Sequence, residues 1–489
     1  MKQSQKAVII GAGIAGMATA ARLAAKGYEV SVYEKNNYPG GKLDLLQKDS
    51  YTFDTGPSLF TQPELLEELF ADCERKLSVH FTYQALKVNT HFFYEDGTTI
   101  IAHKDHQLLA QEMQNKLGVA PSVLLSFLHE VKNLYLHIGS IFLNEPIHQL
   151  STWTTNRIPK ALQHLKWNYL FQSLHDYHVQ QLKEPKLVQL FDRFATYNGS
   201  NPYQAPAMLS MIAHLEMNEG SYYPSGGMVS IPNAVYNLCN DLGVQFHFNT
   251  PIKKIVVKGD KVTGVEIAGI HVDADVVVSN SDVYFTYKDL LQDKAQADKI
   301  RKQERSSSAV IFYWGISKSF PQLHLHNIFF SDHYKEEFDC IFNTRNIHPD
   351  PTIYINITSK MEAQHAPAGC ENWFVLVNTP AANEQDSKAW AAEVRAHTIQ
   401  KLSRMLGVDI ENLIATEEVL TPALIEQGTG SYLGALYGTN SNTRMAAFMR
   451  HSNTSEKYKG LYFAGGTVHP GGGIPLCLRS ARLVSEAIA

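Results

Sequence analysis

An apolar segment at 7–10 leads directly into the sequence Gly-Ala-Gly-Ile-Ala-Gly at 11–16, and an alanine-rich, helix-favouring stretch follows. In such a turn Gly11 permits the tight bend, Gly13 lets the backbone approach a pyrophosphate, and Gly16 lets the helix pack closely on the strand. A segment with this pattern has few alternatives to a strand, a glycine turn and a helix whose N-terminus faces an anion.

A second strand is predicted at 28–33, because the residues there alternate in polarity after Gly27, which is well placed to end the helix. The strand ends at Glu34, where a carboxylate can accept hydrogen bonds from the ribose of a nucleotide. The order strand, turn, helix, strand and acid predicts a right-handed βαβ unit that binds a dinucleotide.

Two further segments are rich in glycine. The first, at 38–42, precedes the sequence Phe-Asp-Thr-Gly-Pro-Ser at 53–58, and it reads either as a ligand-contacting turn or as a surface turn with Lys42 in solvent. The second, at 463–475, lies between an apolar strand and a helix predicted from about Leu476. Because the strand and the helix on either side must both be fixed in the fold, a loop that contacts an electron-rich ring is a better interpretation than a flexible linker.

Length and composition limit the remaining possibilities. With 489 residues the chain is long enough for two or three domains of about 100–200 residues each. The formal net charge of −5 provides no basic excess for a polyanion, so nucleic acid is not expected as a partner. The five cysteines are dispersed without a C-x-x-C pair, which predicts neither a zinc site nor a disulfide framework and fits a reduced, cytosolic compartment.

Two segments bear on targeting and membranes. The uncharged run at 7–21 follows two lysines like a secretion signal, but its glycines match the nucleotide-binding turn instead. No stretch reaches the run of about 18 apolar residues that a spanning helix needs. Residues 162–182 mix Trp, Tyr and Phe with polar side chains, which predicts either a surface helix packed on the core or an interfacial helix at a membrane.

The centre of the chain changes from helix to strand. Residues from about 105 to 220 are predicted to be mostly helical, and 305–380 are rich in β-branched and aromatic residues, which predicts an antiparallel sheet. Within it, the apolar run at 310–314 is more typical of sheet core than of a substrate wall. Short strands are predicted at 244–248, 252–257, 261–267 and 275–279.

These segments resemble those of one known family. The turn at 11–16 with Glu34, Pro-Gly-Gly-Lys at 39–42 and the sequence at 53–58 are similar to the bacterial phytoene desaturase-type carotenoid oxidoreductases, within the FAD amine oxidase-like group. The resemblance covers nearly the whole chain, and its most specific part is at the C-terminus. Its other segments are 197–203, 223–228, 274–280 and 460–475.

The resemblance implies an α/β fold with a discontinuous, Rossmann-like FAD-binding domain. An inserted α+β substrate domain would combine an antiparallel sheet with a helical, membrane-facing part. The implied boundaries are 1–85, 221–290 and 415–489 for the FAD-binding domain, and 86–220 and 291–414 for the substrate domain, with its helical region at about 105–220.

The resemblance also implies which residues hold FAD. Many members of the wider group have an acid at the position of Gly466, so any contact there is expected from the backbone. Residues on the adenosine-diphosphate side would be Gly11, Gly13, Ile14, Ala15, Gly16, Glu34, Lys35, Gly41 and Lys42, with the backbone of Ile252 at the adenine. Thr55, Gly56, Pro57 and Ser58 would lie near the flavin, and Gly465, Gly466, Gly473, Ile474 and Pro475 would bracket the isoalloxazine ring.

The implied reaction is the desaturation of a carotenoid, in which a hydride leaves an allylic carbon for flavin N5. The resulting positive charge spreads along the polyene, so alignment in a dry tunnel matters more than strong acids or bases. Arg193, Tyr197 and His469 are the candidate catalytic residues, and a structural ion pair is an equally good interpretation of Arg193. The group that accepts the proton is not indicated.

No metal site is predicted. The closest metal-like pairs are His175 with His178 and His324 with His326, and neither has a cluster of further ligands nearby in the sequence. All four side chains are therefore expected to lie in solvent.

The expected substrate is a carotenoid, more specifically one that carries a terminal hydroxyl group. A phytoene desaturase, an isomerase or saturase that uses reduced FAD, and a carotenoid-binding flavoprotein without turnover stay open as alternatives. The expected electron acceptor is oxygen or a quinone, and the expected location is the cytoplasm at the inner face of the membrane. An amine oxidase is disfavoured, because no aromatic cage for an amine is evident, and the oligomeric state is not indicated.

Overall fold

The computed structural model describes residues 4–154, 157–443, 446 and 450–488. Its strands are β1 (Lys6–Ile10), β2 (Glu29–Tyr33), β3 (Asp44–Lys48), β4 (Tyr51–Thr55), β5 (Tyr83–Ala85), β6 (Val88–Phe93), β7 (Thr99–His103), β8 (Tyr222–Pro224), β9 (Gln245–His247), β10 (Lys254–Lys258), β11 (Lys261–Ile267), β12 (Ile270–Asp273), β13 (Val276–Ser279), β14 (Ser308–Ile316), β15 (His326–Phe329), β16 (Ile353–Asn356), β17 (Glu371–Thr379), β18 (Ile414–Leu420) and β19 (Leu461–Phe463).

The helices cluster between residues 106 and 241 and near the C-terminus. They are α1 (Ile14–Ala25), α2 (Glu64–Asp72), α3 (His106–Leu117), α4 (Pro121–Leu134), α5 (Ser140–Asn144), α6 (Leu150–Trp153), α7 (Arg157–His164), α8 (Asn168–Phe171), α9 (Leu174–Leu182), α10 (Pro185–Asp192), α11 (Ile212–Met217), α12 (Ser230–Asp241), α13 (Val283–Phe285), α14 (Lys294–Arg301), α15 (Tyr334–Asp339), α16 (Glu384–Leu406), α17 (Pro422–Thr429) and α18 (Ile474–Ala487).

A five-stranded parallel sheet has the order β19-β13-β1-β2-β9. The apolar residues of β1 are buried, as expected for a central parallel strand covered on both faces. Helix α1 packs on this sheet together with α12 and α18. The predicted βαβ unit is confirmed, and Gly27, at φ 91°, follows the end of α1.

Strands β10, β11 and β12 form a separate antiparallel sheet. The strand predicted at 261–267 is confirmed as β11. The strand predicted at 252–257 begins later, at Lys254, so Ile252 precedes β10 instead of lying in it.

A seven-stranded sheet has the order β18-β14-β17-β16-β15-β6-β7. The antiparallel sheet predicted for 305–380 is confirmed by the pairing of β14 to β17 and of β17 to β16. The sheet as a whole is mixed, because β6 joins it in parallel with β15. Strand β18 belongs to this sheet by pairing with β14, although its residues fall almost wholly within the part predicted for the FAD-binding domain. The domain boundaries stay a prediction.

The helical region at about 105–220 is confirmed. The single helix predicted at 162–182 is wrong, because the chain there forms the end of α7 and then α8 and α9. Helix α9 begins at Leu174, after Ser173, whose side chain caps the new helix by accepting a hydrogen bond from the Asp176 N–H. Over the described ranges, no helix has both the length and the apolar character that crossing a membrane requires.

Candidate active site

One cavity of about 1070 Å³ extends from the carboxyl ends of the parallel strands to the seven-stranded sheet. Asn280, directly after β13, and Ala464, directly after β19, lie at one side of it. In open parallel sheets this edge is where ligands bind. The cavity therefore joins the predicted nucleotide site to the predicted substrate side in one space.

The floor of the cavity is one face of the seven-stranded sheet. Because side chains alternate along a strand, every second residue points to the same face. In β14, Val310, Phe312 and Trp314 are buried in the core, whereas Ile311 and Tyr313 line the cavity, so the run predicted as sheet core is divided between core and wall. Other floor residues are Thr90, His326, Ile328, Tyr354, Leu376, Asn378, Glu418 and Leu420.

The opposite wall is mostly apolar and comes from the helical region, together with α15 and the turn that follows it. An apolar wall of this kind keeps water away from a long hydrocarbon ligand. Its side chains are Tyr135, Phe142, Leu143, Ile147, Met208, Leu209, Met211, Ile212, Leu215, Phe338 and Ile341.

The glycine turn before α1 meets the cavity, which Gly13, Ile14 and Ala15 line. A side chain on Gly13 would put its Cβ 2.6 Å from Oδ1 of Asn280, so only glycine fits there. Asn280 accepts a hydrogen bond from the N–H of Gly16 at 3.1 Å. The first turn of a helix has N–H groups without intrahelical partners, and here they face the cavity.

Glu34 is buried behind this turn and does not line the cavity. Its carboxylate accepts hydrogen bonds from the N–H groups of Ala12 at 2.7 Å and Asn36 at 2.9 Å. Lys35 does not line the cavity, but it donates through Nζ to the carbonyl oxygen of the lining residue Gln427 at 2.8 Å. Ile252 is also buried outside the lining. Gly11 and Gly16 support the turn from behind, since neither lines the cavity.

Lys42 and the segment Thr55, Gly56, Pro57 and Ser58 line the cavity together with Gly41. Lys42 donates through Nζ to the Leu436 carbonyl oxygen at 2.8 Å, and burial lowers the pKa of its ammonium group. A Cβ on Gly56 would lie 1.9 Å from the Lys42 carbonyl oxygen, so the two segments are in close contact. Oγ of Ser58 lies 2.7 Å from the Tyr354 hydroxyl, which links this segment to the sheet floor.

The C-terminal glycine loop forms the next part of the wall. Gly466, Gly473, Ile474 and Pro475 line the cavity, and α18 begins there at Ile474. The helix therefore starts at Ile474, slightly before the predicted position. Gly465 does not line the cavity, and its φ of 115° places a hypothetical Cβ 2.5 Å from Nδ2 of Asn280.

Arg193 and Tyr197 line the cavity, but both are held by a carboxylate that sequence reasoning missed. Glu216 accepts from Nη2 of Arg193 at 2.7 Å, from the Tyr197 hydroxyl and from Oγ1 of Thr90 at 2.9 Å. Burial opposes the charge of Glu216, yet Arg193 and these hydroxyl donors hold its pKa below the usual range. The ion-pair interpretation of Arg193 is what the geometry favours.

His469 lines the cavity and is buried. Nε2 lies 3.0 Å from the Glu145 carbonyl oxygen, so Nε2 carries the proton and donates it. Burial lowers the pKa of His469 to about 4, which leaves the ring neutral at neutral pH. It is therefore a weak base.

The histidine pairs are not simply solvated, which corrects the expectation for two of them. His178 is fully buried and its Nδ1 lies 2.7 Å from Asp192, which also contacts His175. His326 is buried in the cavity floor, with Nδ1 2.7 Å from the Tyr354 hydroxyl. In the described parts of the chain, no group of three His, Cys, Asp or Glu side chains is arranged to hold a metal ion.

Arg450 is a second residue that sequence reasoning missed. It is buried, lines the cavity, and donates to the carbonyl oxygens of Tyr437 and Gly466. No local pattern surrounds it in the sequence. Asn280 could have been found, since it directly follows a predicted strand at the ligand-binding edge of a parallel sheet.

Several characterised proteins are similar to the chain over its full length. It is 47% identical over 488 residues to the 1-hydroxycarotenoid 3,4-desaturase of Flavobacterium sp. (strain P99-3), covering 99% of both chains. It is 32% identical over 492 residues to the 4,4'-diapolycopene oxygenase of a Methylomonas species, covering 99% and 98%. It is 30% identical over 509 residues to the phytoene desaturase of Fusarium fujikuroi, covering 98% and 88%.

Solved structures have the same fold at low identity. An oxidoreductase from Methanosarcina mazei superimposes with a TM-score of 0.66 at 16% identity, covering 98% of this chain and all of the other. Wild-type putrescine oxidase does so with a TM-score of 0.65 at 13% identity, covering 99% of each chain. The match to the flavin containing amine oxidoreductases spans residues 14–489. The chain therefore belongs to the flavin containing amine oxidoreductase family and, within it, to the carotenoid desaturases.

Proposed function

We propose that the protein is an FAD-dependent desaturase that introduces a double bond into a carotenoid with a terminal hydroxyl group. The observation that carries the proposal is the single cavity that joins the turn before α1 to an apolar space between the sheet floor and the helical wall. The name of the relative at 47% identity supports the choice of a hydroxylated substrate. The phytoene desaturase at 30% identity makes phytoene the alternative substrate.

The residues at the nucleotide end fit FAD. Gly13, Ile14 and Ala15 offer N–H groups to the diphosphate at the start of α1, while Gly11 and Gly16 hold the turn. Glu34 closes this turn and remains the acid that we propose for the ribose. We assign Lys35 and Ile252 to the adenosine side. Gly41 and Lys42 stay on the diphosphate side of the proposed site. Near the flavin we place Thr55, Gly56, Pro57 and Ser58, together with Gly465, Gly466, Gly473, Ile474 and Pro475.

When bound, FAD supplies the acceptor for a hydride from an allylic carbon. The chain provides the alignment and the exclusion of water through its apolar walls. Glu216 holds Arg193 and Tyr197 in place, and His469 is neutral. We therefore assign these three residues to shaping the cavity and not to acid or base catalysis. The polyene itself delocalises the positive charge, and the substrate proton can leave to water.

The chain also has a surface suited to a membrane. Trp153, Trp167, Phe171 and Leu136 are exposed in the segment between 135 and 171, and Trp167 is 75% exposed. Trp and Tyr rings favour the membrane interface. The Trp153 ring contacts Phe142 at a centroid distance of 6.2 Å, and Phe142 lines the cavity. A lipid-dissolved substrate could therefore enter from this surface, and we place the protein at the inner face of the membrane with oxygen or a quinone as electron acceptor.

Replacing Trp153 and Trp167 together by serine is expected to reduce binding to liposomes at least about fivefold, because two apolar rings no longer enter the interface. Co-sedimentation with liposomes measures the bound fraction. The control is Ile270→Ser, which removes a side chain that is 68% exposed on β12, away from these helices. Equal losses for both proteins would show that general surface apolarity, and not this surface, is responsible.

The function is tested with the purified protein loaded with FAD under anaerobic conditions. Phytoene and a terminally hydroxylated, partly desaturated carotenoid are offered separately in liposomes. The absorption spectrum reports on the flavin and on the carotenoid, since flavin bleaches on reduction and a lengthened polyene absorbs further to the red. We expect bleaching, a red shift and a product lighter by two hydrogen atoms for the hydroxylated carotenoid.

Other results select the alternatives. A response to phytoene alone would replace the proposed substrate. No change with bound FAD would contradict desaturation and favour an isomerase or saturase working with reduced FAD, or a carotenoid-binding flavoprotein. A product that gains oxygen only in air would indicate an oxygenase, the activity named for the relative at 32% identity.

A further inference from the structure

Arg450 is a buried cation whose partners are all neutral. The residue is 3% exposed, and Nη1 donates to the carbonyl oxygens of Tyr437 at 2.8 Å and Gly466 at 3.3 Å. Nη2 donates to Oδ1 of Asn198 at 2.7 Å. Among the residues that the structure describes, no carboxylate forms an ion pair with it. Burial lowers the pKa of Arg450 to about 10, so the group stays charged at neutral pH.

A buried charge without a counter-charge is costly, and three other buried cations of the chain have one. Arg193 pairs with Glu216 at 2.7 Å, Arg22 with Asp72 at 2.8 Å, and Lys401 with Asp350 at 2.7 Å. Arg305 and Arg479 are also buried without an ion pair among the described residues, but neither lines the cavity. Arg450 has no carboxylate partner among those residues and does line the cavity. The missing negative charge is therefore expected from a bound ligand.

The contacts of Arg450 place that charge near the C-terminal glycine loop. Gly466 is a direct partner, and a Cβ on Gly471 would lie 3.2 Å from Nε of Arg450. Asn198, on the other side, belongs to the helical region that forms the substrate wall. The turn before α1, where the diphosphate is proposed to bind, is not among its hydrogen-bond partners. Arg450 thus lies where the flavin ring would face the substrate.

We propose that Arg450 is the counter-ion for the negative charge that the flavin ring acquires on reduction. A hydride brings two electrons and one proton to the ring, which leaves one negative charge on it, while the carotenoid keeps one positive charge until its proton leaves to water. A fixed cation nearby stabilises the reduced ring over the oxidised one and raises its reduction potential. The inference rests on the proposed function only for the identity of the cofactor.

The test measures the two-electron reduction potential of bound flavin by dye equilibration, without any carotenoid. For Arg450→Met we expect the equilibrium to shift at least tenfold toward the oxidised form, which corresponds to about 30 mV. Arg450→Lys keeps the charge, so its reduction potential is expected to stay close to that of wild type. Arg450→Gln keeps hydrogen-bond donors without the charge and is expected to behave like the methionine variant.

Affinity measurements keep the test valid if a variant holds FAD weakly. Binding of oxidised and of reduced FAD to the apoprotein is compared for wild type and each variant, since the ratio of the two affinities reports the same equilibrium. The control is Arg395→Met, which removes a cation paired with Glu411 and Glu417 on the far side of the substrate sheet. It is expected to leave the potential unchanged.

Two results would overturn the assignment. One is an unchanged potential in Arg450→Gln with FAD bound. The other is an equal loss of affinity for oxidised and reduced FAD, which would make the diphosphate the counter-ion. A wild-type protein that binds FAD without desaturating any carotenoid would reject the proposed function and leave this inference standing.

Discussion

Replacing Glu216 by leucine is expected to lower the free energy of unfolding by about 3–5 kcal/mol. The side chain is fully buried and accepts hydrogen bonds from Arg193, Tyr197 and Thr90. Leucine would leave the Arg193 guanidinium charged, buried and without its counter-ion. Urea titration of wild type and variant measures the difference, provided that the slope with urea is the same for both.

The double variant Arg193→Met/Glu216→Leu tests whether the unpaired charge of Arg193 causes the loss of stability. It removes both charges, so we expect it to recover much of the stability lost in the single variant. Glu411→Gln, which breaks the exposed pair with Arg395, is expected to cost less than about 1 kcal/mol. If the double variant were as unstable as Glu216→Leu alone, the pair would not account for the loss.

The same pair gives a pH dependence with a defined sign. Because Arg193 and the hydroxyl donors keep the pKa of Glu216 below its usual range despite burial, the folded state holds the ionised form more strongly than the unfolded chain does. Its contribution is therefore fully present at neutral pH and is lost as the pH falls through the lowered pKa. In the Glu216→Leu protein this part of the acid destabilisation should be missing.

Gly16→Val is expected to abolish stable FAD binding, with at least a tenfold fall in flavin content after purification. A Cβ at this position would lie 2.3 Å from the Gly11 carbonyl oxygen and 2.9 Å from Oδ1 of Asn280. Helix α1 would have to move away from the turn, and the N–H groups proposed to bind the diphosphate would move with it. Overpacking of this kind also costs about 1–3 kcal/mol of stability, which a thermal melt of the apoprotein would report.

The matched control is Gly27→Asn, at the other end of the same helix. Gly27 has a φ of 91°, and no other atom lies within 4 Å of a Cβ placed there. Asparagine tolerates this backbone conformation better than most residues, so flavin content should be close to that of wild type. Normal flavin content in Gly16→Val would contradict the role proposed for the turn.

Local elements could be predicted because their signals lie within a few residues. The parallel strand β1, the turn at Gly11 and the helix α1 follow from a run of apolar residues, three glycines and an alanine-rich stretch. The cavity-lining positions of Gly13 and Gly473 follow from similarly compact motifs. The break between α8 and α9 was missed, since tertiary packing and the Ser173 cap override a helix-favouring composition.

Roles that depend on distant partners could not be predicted in this way. Arg193 reaches Glu216 across the helical region, and Arg450 reaches Asn198 from more than two hundred positions away in the chain. Nothing in the spacing of these residues specifies the partner. Likewise, the alternation along β14 predicts two faces, but only the packing of the sheet shows that Ile311 and Tyr313 face a cavity.

The sequence by itself therefore determined the family, the βαβ unit and the glycine segments that reach the cavity, because backbone conformation and side-chain periodicity are properties of neighbouring residues. Only the tertiary structure decided that Glu34 closes the turn from behind, that Arg193 pairs with a carboxylate, and that Arg450 has no carboxylate partner among the described residues. Burial and charge compensation depend on which distant segments meet, and water is excluded only once they have packed together.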